Sequence, residues 1–134
     1  MHIASGAAIG IYTKPGDVRA PALVTGLSAW LTARSSRPLP NADGHDAMAL
    51  AVVLGGDGTM LHAARRLAPL GVPVLAVHLG TLGFLTETAT DSMYAALEAV
   101  LAGGGARERR LMLHARLERD GKLTAEFEAL NEVV

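Results

Sequence analysis

Residues 47–54, Ala-Met-Ala-Leu-Ala-Val-Val-Leu, are apolar without interruption and run straight into Gly55-Gly56-Asp57-Gly58. A run this short, bounded by glycine, fits a strand. A strand with no polar alternation has to be covered on both faces, as in a parallel sheet flanked by helices. Helical spacing resumes from about Thr59 to Ala68, so the glycines sit where a buried strand ends and a helix begins. In open α/β sheets ligands bind outside the carboxyl ends of the strands. A helix amino end attracts phosphate through its free N–H groups and its dipole. Glycine lets the backbone approach an anion closely. Asp57 is therefore expected beside a phosphate, where one carboxylate orients a hydroxyl or a metal ion.

The rest of the first hundred residues follows the same logic. Ala7–Tyr12 is a short apolar run, read as a first strand and broken by Lys14-Pro15-Gly16. Pro21 suits a helix start, and Leu23, Leu27, Trp30 and Leu31 share one helical face. Residues 35–45 are rich in Pro, Ser, Asn, Asp and Gly and are expected to be loop. Pro69 and Gly71 end the second helix, and Val72–Val77 is a further buried strand. A second glycine turn follows, Gly80-Thr81-Leu82-Gly83, with Leu82 and Leu85 expected in the core. Thr90 or Asp91 is expected to cap a helix that buries Tyr94, Leu97 and Leu101 and stops at Gly103-Gly104-Gly105.

After Gly105 the period changes to two. Leu111, Leu113, Ala115 and Leu117 alternate with His114, Arg116 and Glu118. Asp120-Gly121 is a hairpin turn signal, and Leu123, Ala125, Phe127 and Ala129 alternate with Thr124, Glu126 and Glu128. This predicts an antiparallel hairpin with one solvated face. Two strands alone are marginal in water. The hairpin is expected to open a second unit that is truncated here or borrows partners from another chain. The reading is thus an α/β nucleotide-binding domain over 1–105 and the opening hairpin of a β domain over 106–134.

Composition narrows the function classes. The 134 residues are 50% apolar, enough for a real core. The net charge of −1 argues against a nucleic-acid partner, since such proteins usually carry a basic excess. The lack of cysteine excludes a disulfide framework and a thiolate metal site. No apolar run reaches membrane-spanning length, and Met1–Ala8 has no signal-peptide pattern. A cytoplasmic protein with no membrane partner is expected.

Three motifs, taken together, carry a resemblance. They are Gly55-Gly56-Asp57-Gly58-Thr59-Met60-Leu61, His78-Leu79-Gly80-Thr81-Leu82-Gly83-Phe84-Leu85-Thr86, and Asn131-Glu132-Val133-Val134. In this order and at these separations the chain resembles the NAD kinase family, also called inorganic polyphosphate/ATP-NAD kinase. The resemblance implies an open, mostly parallel, three-layer Rossmann-like (phosphofructokinase-like) α/β domain followed by an antiparallel all-β domain, with the active site between them. It also implies a chain roughly double this length and a homo-oligomer. The implied reaction moves the terminal phosphate of ATP, or of polyphosphate in some members, to the adenosine 2′-hydroxyl of NAD. Mg²⁺ or another divalent cation then bridges the ATP phosphates, and the products are ADP and NADP.

Within that resemblance Asp57 matches the aspartate assigned as the base at the 2′-hydroxyl. A carboxylate at a helix amino end is stabilised as an anion, which weakens it as a base, so Asp57 orients the hydroxyl as much as it deprotonates it. Its other reading is a capping aspartate. Gly55, Gly56 and Gly58 form the phosphate-approach surface or merely a tight turn, and Thr59 donates to a phosphate or caps the helix. His62 occupies a position where family members often carry an arginine that contacts the dinucleotide; alternatively it is a surface histidine. His78 stands where asparagine is commoner, as a substrate contact or a structural group. Phe84 covers an adenine ring or belongs to the core. Asn131 and Glu132 match the pair that holds the dinucleotide, and such a pair satisfies ribose hydroxyls. Arg65 and Arg66, and Asp43, His45 and Asp46, read as solvated surface. No second histidine lies at metal-ligand spacing, so no protein-built zinc site is expected. Two rivals remain: a lipid or sugar kinase sharing the glycine–aspartate loop, and a non-catalytic nucleotide-binding module.

Overall fold

A computed structural model describes residues 2–41 and 47–130. Five parallel strands form one sheet in the order β2-β1-β3-β4-β5. These are β1 (Ala8–Thr13), β2 (Arg37–Pro40), β3 (Met48–Gly55), β4 (Val74–His78) and β5 (Thr88–Ala89). The helices are α1 (Ala20–Ala33), α2 (Asp57–Leu67) and α3 (Met93–Leu101). An antiparallel pair, β6 (Met112–Arg119) and β7 (Lys122–Leu130), completes the described chain.

The uninterrupted apolar run becomes the central strand for the expected reason. Alternate residues of β3 serve opposite faces. Leu50, Val52 and Leu54 pack with Ile9, Ile11, Leu27, Leu31, Met93 and Leu97 from β1, α1 and α3. Ala51 and Val53 pack with Tyr12, Ala63 and Leu67 from β1 and α2. The result is three layers, with α1 and α3 on one face and α2 on the other. Each fully buried aliphatic side chain of β3 contributes about 1.5–3 kcal/mol, so the strand that presents the glycine run is among the most firmly held parts of the sheet.

Four expectations need correction. Residues 37–40 are strand β2, not loop; their prolines suit the edge of the sheet, where an N–H is not needed. Helix α2 begins at Asp57, because extended Gly56 already accepts from the Met60 N–H at 3.0 Å. Neither Thr90 nor Asp91 caps α3; both lie in a 3₁₀ turn before it, and the Thr90 hydroxyl donates to the His78 carbonyl at 3.1 Å. Leu82 is 70% exposed rather than core.

The expected antiparallel hairpin forms, with Arg119 opposite Lys122 at its turn; a register shift between Leu117 and Glu118 then brings Leu113 opposite Ala129 and Ala115 opposite Phe127. Asp120 and Gly121 both take positive φ, 51° and 72°, which is what a two-residue hairpin turn matching strand twist requires. Ala129 and Leu130 are buried where β7 meets α2. The apolar face of the hairpin is otherwise open: Leu113, Leu117 and Phe127 are exposed.

Candidate active site

The strand order reverses between β1 and β3. The chain goes outward from β1 to β2 and then returns to the other side of β1, so the loops after β1 and β3 diverge at one end of the sheet. Thr13 and Leu54 are register partners there. This is the topological switch point, the usual ligand crevice of an open α/β sheet. Gly55, Gly56, Asp57 and Gly58 leave β3 at this point and pass directly into α2.

Asp57 is the first residue of α2, yet its carboxylate does not cap its own helix. It reaches across to the segment after the second glycine turn. The Phe84 N–H donates to Oδ2 at 2.9 Å, and the Leu85 N–H donates to Oδ1 at 3.0 Å. The hydroxyl of fully buried Thr86 donates to Oδ1 at 3.3 Å. These bonds, the Leu85 and Phe84 amides foremost and the Thr86 hydroxyl after them, lower the pKa of Asp57 against the opposing effect of its partial burial. The group is a half-buried anion at neutral pH, held in one orientation. As an acid–base group it is a weak base, and as a hydrogen-bond acceptor it is strong and directed. The sequence pointed to the helix dipole as the cause of anionic stabilisation; the structure shows turn amides supplying it from 27 and 28 residues away.

The glycines divide by role. A Cβ at Gly55 would stand 2.5 Å from the Thr59 hydroxyl, so this glycine makes room for the Thr59 side chain, which folds back over the end of β3. Gly56 and Gly58 face open space, where a Cβ would meet nothing of the protein. Their backbone is thus open to solvent at the amino end of α2. A Cβ at Gly83 would collide with Asp57 Oδ1 and lie 2.6 Å from the Thr86 hydroxyl oxygen. Gly83 is thus what allows the second turn to close on the carboxylate.

His78 is the register partner of Gly55. Its Nδ1 lies 2.9 Å from the Gly80 carbonyl oxygen, an acceptor, so this nitrogen carries the proton and ties the second turn to the end of β4. The Leu79 N–H donates to the Gly55 carbonyl at 3.0 Å, joining the two turns. Phe84 is not core: its ring is 92% exposed although its own N–H holds Asp57. His62 lies on the exposed side of α2, together with Arg65 and Arg66. Asn131 and Glu132, and Asp43, His45 and Asp46, lie outside the described residues. Among the described residues no group of three or more His, Asp or Glu could hold a metal ion.

Sequence reasoning singled out Asp57 and missed its partners. Thr86 could have been suspected as a lone hydroxyl beside Leu85 in a glycine-bounded apolar run, but its burial against a distant carboxylate is invisible in the pattern. A separate cavity of about 530 Å³ lies between α2, β4 and the hairpin base, lined by Met60, Leu67, Leu75, Leu85, Met112 and Leu130 among others. It is a mostly apolar seam that does not reach Asp57.

Known proteins resemble this chain in sequence and in fold. The family model described as the ATP-NAD kinase N-terminal domain matches residues 9–105. An NAD kinase from Nitratidesulfovibrio vulgaris is 45% identical, in a match covering 100% of this chain and 50% of that protein. One from Heliobacterium modesticaldum is 54% identical over a match covering 63% of this chain and 30% of that protein. One from Geobacter sulfurreducens is 38% identical, covering 94% and 50%. The chain spans about half the length of the curated relatives it matches most fully. Among solved structures, yeast NADH kinase complexed with NADH superposes with a TM-score of 0.57 at 20% identity, covering 94% of this chain and 47% of that one. At that identity the likeness is one of fold.

Proposed function

The chain belongs to the NAD kinase family, and from that premise we propose that the protein it is part of phosphorylates the adenosine 2′-hydroxyl of NAD, with ATP or polyphosphate as donor, to give NADP. The observation that carries this reading is the oriented carboxylate of Asp57 at the switch point, beside the open backbone of Gly56 and Gly58. Phosphoryl transfer asks mainly for positioning and charge stabilisation. Asp57 fits that demand. Its lowered pKa makes it a poor proton sink early in the reaction and a good acceptor for the 2′-hydroxyl, whose proton it takes as the oxygen bonds to phosphorus.

The remaining roles follow as parts of the same proposal. Gly56 and Gly58 form the edge along which phosphates approach the amino end of α2, and Gly55 and Thr59 close the end of β3 behind it. Phe84, exposed next to Asp57, covers the adenine, and His62, His78, Asn131 and Glu132 contact the dinucleotide. A divalent cation such as Mg²⁺, bound together with ATP, would supply charge neutralisation on the transferred group. We propose a domain boundary near residue 105. The end of the family match at that residue supports it, as does the open apolar face of the hairpin, which suits a β unit built from the rest of a longer chain. The whole protein is proposed to be a cytoplasmic homo-oligomer that takes NAD and ATP. Among the described residues no helix is long and apolar enough to cross a membrane.

The test uses the full-length gene product. Purified protein with ATP and NAD should form NADP in a coupled assay and should leave diacylglycerol untouched. Asp57→Asn should abolish NADP formation while the protein stays folded, with a lowered thermal midpoint because the amide nitrogen cannot accept from a turn N–H. Turnover of the lipid alone, or full activity in Asp57→Asn, would overturn the assignment.

A further inference from the structure

The second glycine turn is anchored at its far end by Asp57. Its near end has an anchor of a different kind, from the loop after β1. Asp17 grips Arg19: the Arg19 Nε and backbone N–H each donate to Asp17 Oδ1 at 3.0 Å, and Nη2 donates to Oδ2 at 2.8 Å. The grip holds the Asp17 carboxyl down to about 2, with the Arg19 side-chain bonds as the main cause. The remaining amino group, Nη1, donates to the carbonyl of Leu79 at 2.9 Å, 60 residues away. Leu79 is the residue whose N–H bonds Gly55, and Gly80 and Gly83 follow it.

We propose that Arg19, fixed by Asp17, is a positioning residue for Asp57. It holds the Leu79 carbonyl, and so sets where the turn over residues 79–86 starts and where the Phe84 and Leu85 amides meet the Asp57 carboxylate. An exposed ion pair adds little to stability, and half-exposed Arg19 is not a core residue. Its effect lies in geometry. The planar guanidinium loses little freedom on bonding Leu79, because Asp17 already holds two of its corners. The clasp thus joins the loops after β1 and β4 across the switch point, on either side of the loop that carries Asp57. The Arg19 guanidinium also passes close to Gly80: a Cβ there would lie 3.3 Å from Nη1. The kinetic part of this inference rests on the kinase reading above; the structural part does not.

The experiment compares Arg19→Ala and Asp17→Asn with wild type in the full-length protein. Three quantities are read: amide hydrogen exchange at Phe84 and Leu85, the Asp57 carboxyl titration by carbon NMR, and steady-state NADP formation. In Arg19→Ala the two amides should exchange about tenfold faster or more while those of β3 stay protected. The Asp57 titration should move up toward the ordinary carboxylate range. The kcat should fall about 10- to 100-fold, the scale of a misplacement near 1 Å, with little change in the thermal midpoint. Asp17→Asn should shift all three in the same direction by less. Unchanged exchange and titration overturn the proposal, whatever the kinetics. Faster exchange spread through β3 and β4 overturns it too, since Arg19 would then be a general support. A loosened turn with kcat within about twofold of wild type also refutes positioning. If wild type forms no NADP, the kinase reading fails, and the exchange and titration results decide the role of Arg19 by themselves.

Discussion

Gly83→Ala is the sharpest probe of the Asp57 cradle. The added methyl would lie 2.6 Å from the Thr86 hydroxyl oxygen, against the 3.4 Å at which ordinary contact begins, so one of them must yield by about 0.8 Å. Its approach to Asp57 Oδ1 is closer still. Thr86 is fully buried and has little room to retreat, so the turn backbone moves instead. A displacement of that size stretches the amide bonds to Asp57, now 2.9 and 3.0 Å, beyond hydrogen-bonding reach. Overpacking of this kind costs about 1–3 kcal/mol, which the fold should survive. The functional cost should be larger, since a displacement near 1 Å can lower turnover about 100-fold. The assay is NADP formation by the full-length variant, with the Asp57 carboxyl titration followed in parallel. We expect kcat down about 100-fold and the titration shifted upward. A variant within about threefold of wild type, with the Asp57 titration unmoved, would refute the claim that the turn orients the acid.

The other expectations concern the exposed ring and the hairpin. Phe84→Ala should raise KM for NAD about tenfold or more, the scale of a base stacked on an aromatic ring. Its thermal midpoint should not move, because the ring is 92% exposed; an unchanged KM would remove Phe84 from the adenine site. His114 lies between Glu128 and Glu126, and its pKa is raised, chiefly by the hydrogen bond to Glu128. A group with a raised folded pKa stabilises fully below its unfolded value and loses that contribution as pH rises through the folded one. Wild type should therefore exceed His114→Gln in denaturant midpoint by more below pH ~6 than above pH ~9. A difference that does not vary with pH would show that the ion pairs contribute nothing.

What could be read from the sequence was local. The run 47–54 and its glycines located the central strand and the acid because apolar continuity and chain reversal are properties of neighbouring residues. The alternation from Leu111 to Ala129, with Asp120-Gly121 between, located the hairpin and its turn for the same reason, but not the shift at Leu117/Glu118 that sets its register. Strand β2 was missed because prolines argue for a loop until a neighbouring strand is there to supply an edge. The partners of Asp57 were missed because Phe84, Leu85 and Thr86 act on it across 27 to 29 residues, two of them through backbone N–H groups that every residue but proline has. Arg19 and Asp17 lay in a stretch read only as a strand break and a helix start. The roles of Asn131 and Glu132 stay with the resemblance, since both lie outside the described residues.

The prolines of β2 have a consequence beyond marking a rim. The N–H groups of Arg37 and Asn41 point inward, to the carbonyls of Ala7 and Ile11, so the N–H positions of residues 38 and 40 point outward. Both are proline, and that flank presents carbonyl oxygens where donors would be needed. An incoming strand would find only half of its backbone groups answered. Growth of the parallel sheet by a further backbone-paired strand is thereby disfavoured on the β2 side.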